Sequence, residues 1–118
     1  MKKNDTKIID AAGITLGRVA SAVAMSLMGK TKTTFERNVY SGVPVKVINV
    51  SKISITTKKL ESMTHKRYSG HRGGLRIFKG TETLEKKGMG ELLKLAVFQM
   101  LPGNKIRREM MKNLTIEK

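Results

Sequence analysis

Residues 67–76 read RYSGHRGGLR and hold three arginines, one tyrosine, one histidine and three glycines, with no acidic residue among them. Glycines let the backbone approach a ligand closely, and a guanidinium group can form paired hydrogen bonds with a phosphate. A tyrosine or histidine ring can stack on a base. Three functions fit such a stretch: a glycine loop holding a nucleotide phosphate in an enzyme, a basic loop contacting nucleic acid, or an ordinary mobile surface turn.

The sequence does not complete either of the common nucleotide-binding motifs. The glycines at 70, 73 and 74 depart from the G-x-G-x-x-G spacing of dinucleotide-binding loops. Gly29-Lys30-Thr31 resembles the end of a P-loop, but Ala24 stands where that motif requires glycine. The triplet also follows a predicted helix, whose carboxyl end repels phosphate. An enzyme is therefore disfavoured.

Acid–base and metal chemistry are also poorly supported. His65 and His71 have no acidic residue nearer in sequence than Glu61, whereas a general base needs a partner within hydrogen-bond reach. Two histidines without clustered carboxylates make a poor metal site, and no cysteine is present. No cofactor and no small-molecule substrate are expected.

The net charge favours the nucleic-acid hypothesis. The chain has 24 Lys plus Arg against 9 Asp plus Glu, for a net charge of +15, while small soluble domains usually carry a charge of magnitude about 2–8. The acids leave long gaps between Asp10 and Glu36, between Glu61 and Glu82, and after Glu91 as far as residue 109. These gaps predict basic surfaces that an anionic polymer would neutralise.

Two helices and two strands are predicted by periodicity and turn signals. Ile8-Ile9 indicates a short strand, and the dense β-branched run 45–50 indicates a strand buried on both faces. Apolar residues at 16, 19, 23 and 27 predict a helix that Thr15 caps and Gly29 ends. An apolar stripe from Met89 to Met100 predicts a second helix that stops before Pro102.

Weaker signals complete the expected fold. The alternation at 53 and 55 predicts another short extended piece, and residues 106, 110 and 114 predict a short helix at four-residue spacing. At 118 residues the chain has the size of one domain, expected to span 1–118 with residues 1–6 and 115–118 mobile when free. No apolar run has the length of a signal peptide core or a membrane span, which predicts a cytoplasmic protein.

Several landmarks, in order along nearly the whole chain, resemble one family, the thirteenth protein of the large ribosomal subunit in its bacterial or organellar form. The landmarks are ThrLeuGlyArg at 15–18, Gly29-Lys30, ValIleAsn at 47–49, SerGly…GlyGlyLeu at 69–75, LeuGluLysLys at 84–87 and MetLeuProGlyAsn at 100–104. Differences from the usual family pattern occur at Thr6-Lys7, at Val43-Pro44 and at SGHRGGL.

The resemblance implies an α/β fold with a four-stranded parallel sheet flanked by helices in a three-layer sandwich, extended by the basic loop. It also implies a non-catalytic ribosomal role, with large-subunit rRNA and neighbouring ribosomal proteins as partners. Alternatives are a non-ribosomal RNA-binding or regulatory protein and, less favoured, a nucleotide-dependent enzyme. The residues expected to contact rRNA are Arg18, Lys30, Lys32, Lys58, Lys59, His65, Lys66, Arg67, Tyr68, Gly70, His71, Arg72, Gly73, Gly74 and Arg76, with a second basic patch of Lys105, Arg107, Arg108 and Lys112.

Overall fold

Three short strands form a parallel sheet in the structure, a computed structural model that describes residues 6–40 and 42–118. They are β1 (Lys7–Asp10), β2 (Val45–Ile48) and β5 (Leu114–Ile116), in the order β1-β2-β5. Val45 and Val47 of the central strand are fully buried, while the alternate residues 46 and 48 are half-buried. The strand predicted at 45–50 is therefore confirmed over a shorter span, and only one of its faces is fully buried.

Helix α1 (Leu16–Met28) covers this sheet and is confirmed within the predicted bounds. Its apolar stripe is buried together with Ala20 and Ala24, whose small side chains let the helix lie close to its neighbours. Gly29 ends the helix in the left-handed region, at φ 78°, and its N–H donates to the carbonyls of Met25 and Ser26. Thr15 precedes the first turn, but its hydroxyl makes no capping hydrogen bond.

Helix α4 (Met89–Met100) packs along α1 and completes the core with buried Leu92, Leu93 and Val97. It ends just before Pro102, as predicted. The next helix, α5, spans Arg107–Lys112. It is shorter than the helix predicted from the four-residue spacing of residues 106, 110 and 114. Residue 114 belongs instead to β5, whose entry is fixed by a 3.0 Å hydrogen bond from the Val45 N–H to the Asn113 carbonyl.

The prediction of a four-stranded parallel sheet needs correction. The segment around Ile53 and Ile55 forms one isolated parallel bridge, between Thr15 and Ser54. The bridge cannot extend into a ladder because the chain turns into α1 directly after Thr15. The remaining two strands, β3 (Thr64–Tyr68) and β4 (Leu75–Lys79), form a separate antiparallel hairpin. The α/β class is confirmed, with three parallel strands and this hairpin.

The carboxyl ends of β1 and β2 are joined by side chains. One Asp10 carboxylate oxygen accepts hydrogen bonds of 3.0 Å from the Ala12 N–H and from the Asn49 amide. These two hydrogen bonds lower the pKa of Asp10, and the bond from the Ala12 N–H has the larger effect. Asn49 itself has a left-handed backbone, at φ 57°, which asparagine tolerates better than most residues.

The sequence predicts that both chain ends are mobile when the protein is free. Residues 1–5 lie outside the described part of the chain. Thr115 and Ile116 lie in β5, and Lys46 of β2 forms a 2.6 Å ion pair with Glu117. The mobility of 115–118 in the free protein stays a prediction. Within 6–40 and 42–118, no helix is long and apolar enough to cross a membrane.

The hairpin is attached to the rest of the molecule by two short helices, α2 (Thr57–Ser62) before it and α3 (Gly80–Lys87) after it. Gly80 is buried at this junction, and its N–H donates a 2.8 Å hydrogen bond to the Met63 carbonyl. A Cβ atom at Gly80 would lie 2.8 Å from the Leu60 carbonyl oxygen. The junction therefore requires glycine because backbone approaches backbone there.

We expect Gly80→Ala to lower the free energy of unfolding by about 1–3 kcal/mol, since overpacking against a fixed carbonyl must displace backbone. Gly17→Ala is the matched control, because Gly17 is also in the first turn of a helix and has open space where the Cβ would be. It should raise stability by up to about 1 kcal/mol through helix propensity. Urea unfolding of both variants measures the difference, and equal effects would contradict the tight junction.

Candidate nucleic-acid interface

The RYSGHRGGLR stretch forms the outer half of the β3–β4 hairpin. It contains the last two residues of β3, a six-residue loop, and the first two residues of β4. The strand register pairs Arg67 with Arg76 and Tyr68 with Leu75. At about 3.3 Å per residue, the loop lies on the order of 15 Å beyond the Gly80 junction. The stretch is thus a projecting basic tip.

The two faces of the hairpin differ in chemistry. Side chains directly opposite each other in an antiparallel pair point to the same face. One face therefore carries Arg67 with Arg76 and, nearer the base, His65 with Phe78. We call this the arginine face. The opposite face, the apolar face, carries Tyr68, Leu75 and Ile77, which are 66%, 56% and 55% exposed, with Lys66 beside them.

Arg67 and Arg76 are like charges placed directly opposite each other, with Cβ atoms about 4.5–5.5 Å apart by strand geometry. Such a pair is destabilising in the free protein. An anion held between the two guanidinium groups would neutralise both and form charge-assisted hydrogen bonds. The register thus places two guanidinium groups where a single anion could contact both.

Glycines shape the loop at the tip. Gly70 and Gly73 have positive φ values of 88° and 67°, in the left-handed region that other residues rarely adopt. The Gly74 N–H donates a 3.1 Å hydrogen bond to the His71 carbonyl, which closes a tight turn around Arg72. Gly74 has an ordinary φ, but a Cβ there would overlap the hydroxyl oxygen of Ser69. Backbone geometry thus places Arg72 within the tight turn of the loop.

The other predicted cations fall into three separate places. Lys58 and Lys59 lie on α2, which packs against β4 and α3 at the base of the hairpin. Arg18 lies in the first turn of α1 and Lys30 just beyond its last, so roughly 18 Å of helix axis separates them. Lys32 follows in the same turn as Lys30, where its N–H donates to the Gly29 carbonyl.

The second basic patch lies on and before α5. Lys105, Arg108 and Lys112 are exposed. Arg107 differs because its guanidinium carbon lies 4.0 Å from the centre of the Phe98 ring of α4, a cation–π contact. Its side chain is held against the protein, which leaves the other three as the freer cations of this patch. The structure joins Lys58 and Lys59 to the hairpin and keeps the α1 cations distinct from it.

Few of the basic side chains are neutralised within the protein. Among the residues described, the ion pairs within 4.0 Å are Lys46 with Glu117 and Lys87 with Glu91. None of the predicted contact residues is paired with a described carboxylate. The described residues also contain no group of three potential metal ligands. The charges at the hairpin are therefore available to an external anion.

Sequence reasoning missed two features of this region. The exposed apolar face escaped notice because Leu75 and Ile77 resemble ordinary strand residues, although their alternation with Arg76 was a usable signal. The cavity beneath the arginine face, of about 140 Å³, lies between the hairpin and helices α3 and α4. It had no signal in sequence, because its walls come from three separate elements.

Comparisons with known proteins identify the family of the chain. The family model described as Ribosomal protein L13 matches residues 4–117. The Large ribosomal subunit protein uL13 of Pelobacter propionicus is 42% identical over 114 residues, which cover 97% of this chain and 80% of the relative. The protein of the same name from Roseobacter denitrificans is 41% identical over 109 residues, covering 92% of this chain and 71% of the relative.

We expect Arg76→Thr to stabilise the free hairpin by about 0.2–1 kcal/mol at low ionic strength, because it removes the repulsion from Arg67. The gain should shrink as salt screens the charges. Amide hydrogen exchange in β3 and β4 measures this local stability.

Lys66→Thr is the matched control, since it removes one charge from the same hairpin but lies opposite Ile77. Equal increases in protection from exchange in the two variants would show a general effect of net charge and would contradict a specific arginine pair.

Proposed function

Because the chain belongs to the Ribosomal protein L13 family, we propose that it is a structural component of the large ribosomal subunit that binds large-subunit rRNA with the hairpin tip. The observation that carries the proposal is the arginine face, where Arg67 and Arg76 stand opposite each other without an acidic partner among the described residues. Arg72 extends this cationic surface at the loop. A role in early subunit assembly is part of the proposal.

The shape of the hairpin suits RNA that is not a plain double helix. The major groove of A-form RNA is deep and too narrow for side chains, so proteins contact phosphates, 2′-hydroxyls and unstacked bases. A projecting two-stranded tip with flexible arginines can reach between neighbouring RNA segments. Tyr68 and His71, both exposed, provide rings for stacking on an unpaired base.

The remaining predicted cations supply further phosphate contacts. Lys58 and Lys59 extend the hairpin surface at its base. The cations at the two ends of α1 and the second basic patch at α5 lie elsewhere on the protein. A protein that contacts RNA from several places bridges separate RNA segments, as an assembly protein does. We expect Leu75 and Ile77 of the apolar face to meet neighbouring large-subunit proteins, because exposed apolar patches mark interaction sites.

We propose no catalytic activity, no cofactor and no small-molecule substrate for the chain, and a location in the ribosome. Gly29-Lys30-Thr31 supports this, since it follows the carboxyl end of α1, where the helix dipole disfavours phosphate. The expectation that residues 1–118 fold as one domain is supported by a hydrophobic core to which α1, α4 and the sheet all contribute among the described residues. A separate regulatory role outside the ribosome is the alternative.

Sedimentation distinguishes the two functions. Tagged protein in a cell lysate should travel almost wholly with large subunits, whereas a regulatory protein would remain largely in lighter fractions. The double variant Gly73→Val with Gly74→Val should incorporate poorly, because valine is strained at φ 67° and clashes with Ser69. Its folding should be little changed, since the loop lies far from the core.

Gly73→Asn is the control for that variant, because asparagine tolerates the left-handed region. It should incorporate better than the valine variant. Normal incorporation of the double valine variant would show that the loop is only a surface turn.

The salt dependence of rRNA binding tests the arginine face directly. Removing one cation that touches a phosphate should reduce the slope of log affinity against log salt by roughly 0.7–0.9 of a unit, with the lower figure for single-stranded RNA. We therefore expect Arg67, Arg72 and Arg76 changed together to Gln to lower both affinity and slope. Filter binding of a large-subunit rRNA fragment across a salt titration measures both.

The matched control removes three charges from exposed lysines outside the predicted contacts, Lys7, Lys94 and Lys118, each changed to Gln. It should alter affinity and slope much less. Identical behaviour of the two triple variants would indicate general attraction of a +15 protein to any polyanion.

A further inference from the structure

Strand β5 leaves a row of backbone hydrogen-bonding groups without a partner. The Asn113 carbonyl accepts a 3.0 Å hydrogen bond from the Val45 N–H, so that residue directs its carbonyl toward β2. Because successive residues of a strand direct their backbone groups to opposite sides, the N–H and C=O groups of Leu114 and Ile116 point away from β2. No strand of the described chain lies on that side. The edge therefore offers donors and acceptors at strand spacing.

A cleft of about 450 Å³, the β5 cleft, lies directly beside this edge. The first turn of α4 approaches β5 across it, since a Cβ atom at Gly90 would lie 3.4 Å from the side chain of Ile116. Apolar side chains from several elements line the cleft: Val50, Met89, Met111, Leu114 and Ile116. Methionines adapt to side chains of varied shape. A strand paired with β5 would direct alternate side chains into this space.

Cations lie at the rim of the β5 cleft. Lys94 and Lys118 line it, are exposed, and have no acidic partner among the described residues. The carboxylate of Glu91 also lines the cleft, but it lies 4.0 Å from the Lys87 ammonium group and is paired with it. The two unpaired lysines therefore favour carboxylates on whatever occupies the cleft.

We propose that the β5 edge and the β5 cleft bind an extended segment of a neighbouring large-subunit protein. The segment adds a strand to β5, places apolar side chains in the cleft and sets acidic side chains against Lys94 and Lys118. The inference rests on the proposed function, which puts such proteins beside the chain. Strand addition at an open edge recurs in peptide recognition, where main-chain hydrogen bonds supply affinity and pockets for alternate side chains supply specificity.

Two other occupants satisfy the site less well. The phosphate oxygens of RNA accept hydrogen bonds from N–H groups but cannot donate to the carbonyls of Leu114 and Ile116. A second copy of the chain would bring its own Lys94 and Lys118 against the first pair, and each copy has a net charge of +15. A polypeptide strand that carries carboxylates satisfies both the edge and the rim.

The edge is tested with the free protein and a short synthetic peptide of alternating valine and glutamate. Binding should slow amide hydrogen exchange at Leu114 and Ile116, and change it little at Thr115, which faces β2. Ile116→Pro removes one edge-facing N–H, a loss that an edge strand tolerates. It should lower the affinity for the peptide roughly tenfold.

Ile8→Pro is the matched control for that variant, at the opposite edge of the same sheet. The Lys7 N–H donates a 2.9 Å hydrogen bond to the Pro44 carbonyl, so the N–H of the next residue, Ile8, points away from β2. This variant should bind the peptide as the wild type does. Equal losses of affinity in the two proline variants would overturn the proposed site on β5.

A second pair of variants tests the rim without changing the backbone. Lys94→Glu combined with Lys118→Glu alters exposed side chains only, so folding should be retained. It should weaken binding of the valine–glutamate peptide at least tenfold and favour a valine–lysine peptide instead. Lys7→Glu combined with Lys79→Glu, also exposed, changes the net charge equally and should do neither. Equal effects would show general attraction of an acidic peptide to a basic protein and would overturn the inference.

Purified large subunits identify the occupant. A photoreactive amino acid in place of Lys94 should cross-link to an extended protein segment with apolar and acidic residues, and Ile116→Pro should abolish that cross-link. If the wild-type chain stays out of large subunits, the proposed function itself is wrong. If the chain enters them and position 94 cross-links only to rRNA, or to nothing, this inference alone is overturned.

Discussion

The close approach of Gly80 to residues 60–63 determines where the hairpin stands. The hairpin has little core of its own, because most residues of β3 and β4 are exposed, and two-stranded ribbons are marginally stable in water. Its position therefore depends on the hydrogen bond from Gly80 to Met63 and on α3, which begins at Gly80 without an intervening loop. Since α3 leads into α4, the core holds the tip in place.

This attachment allows the protein to separate stability from binding. Apolar burial is concentrated in α1, α4 and β2, whereas the cations face outward at the hairpin and at the helix ends. Repulsion between Arg67 and Arg76 is tolerated because the core does not depend on the tip. A surface whose charges repel each other in the free protein can therefore persist without destabilising the core.

Sequence patterns predicted the parts of the fold that bury one continuous face. Helices α1 and α4 have apolar residues at helical spacing, so their bounds were predictable from Gly29 and Pro102. The hairpin was not, because most residues of both strands are exposed and the alternation of Leu75 and Ile77 with Arg76 is too short to define a strand pair. β5 was mistaken for helix because Leu114 lies four residues after Met110, and only its pairing with β2 decides between the two.

The candidate site was predictable as a composition but not as a geometry. An acid-free run of arginines and glycines identified residues 65–76, yet the opposition of Arg67 and Arg76 depends on a strand register that the sequence does not specify. Lys58 and Lys59 lie beside the hairpin because α2 packs at its base, a contact that the sequence does not specify. Arg107 was predicted as an rRNA contact of the second basic patch, and its contact with the Phe98 ring depends on tertiary packing that the sequence does not specify.

The central sheet leaves two open edges among the described residues, at β1 and β5, and Ile8 on β1 is 64% exposed. Open edges invite strands of other copies to pair with them. Mutual repulsion between highly charged copies opposes this in the free protein. A polyanion that cancels the charge would remove that colloidal protection. A polyanion large enough to hold its bound protein molecules apart would keep the open edges separate even with the charge cancelled, whereas a short anion would not.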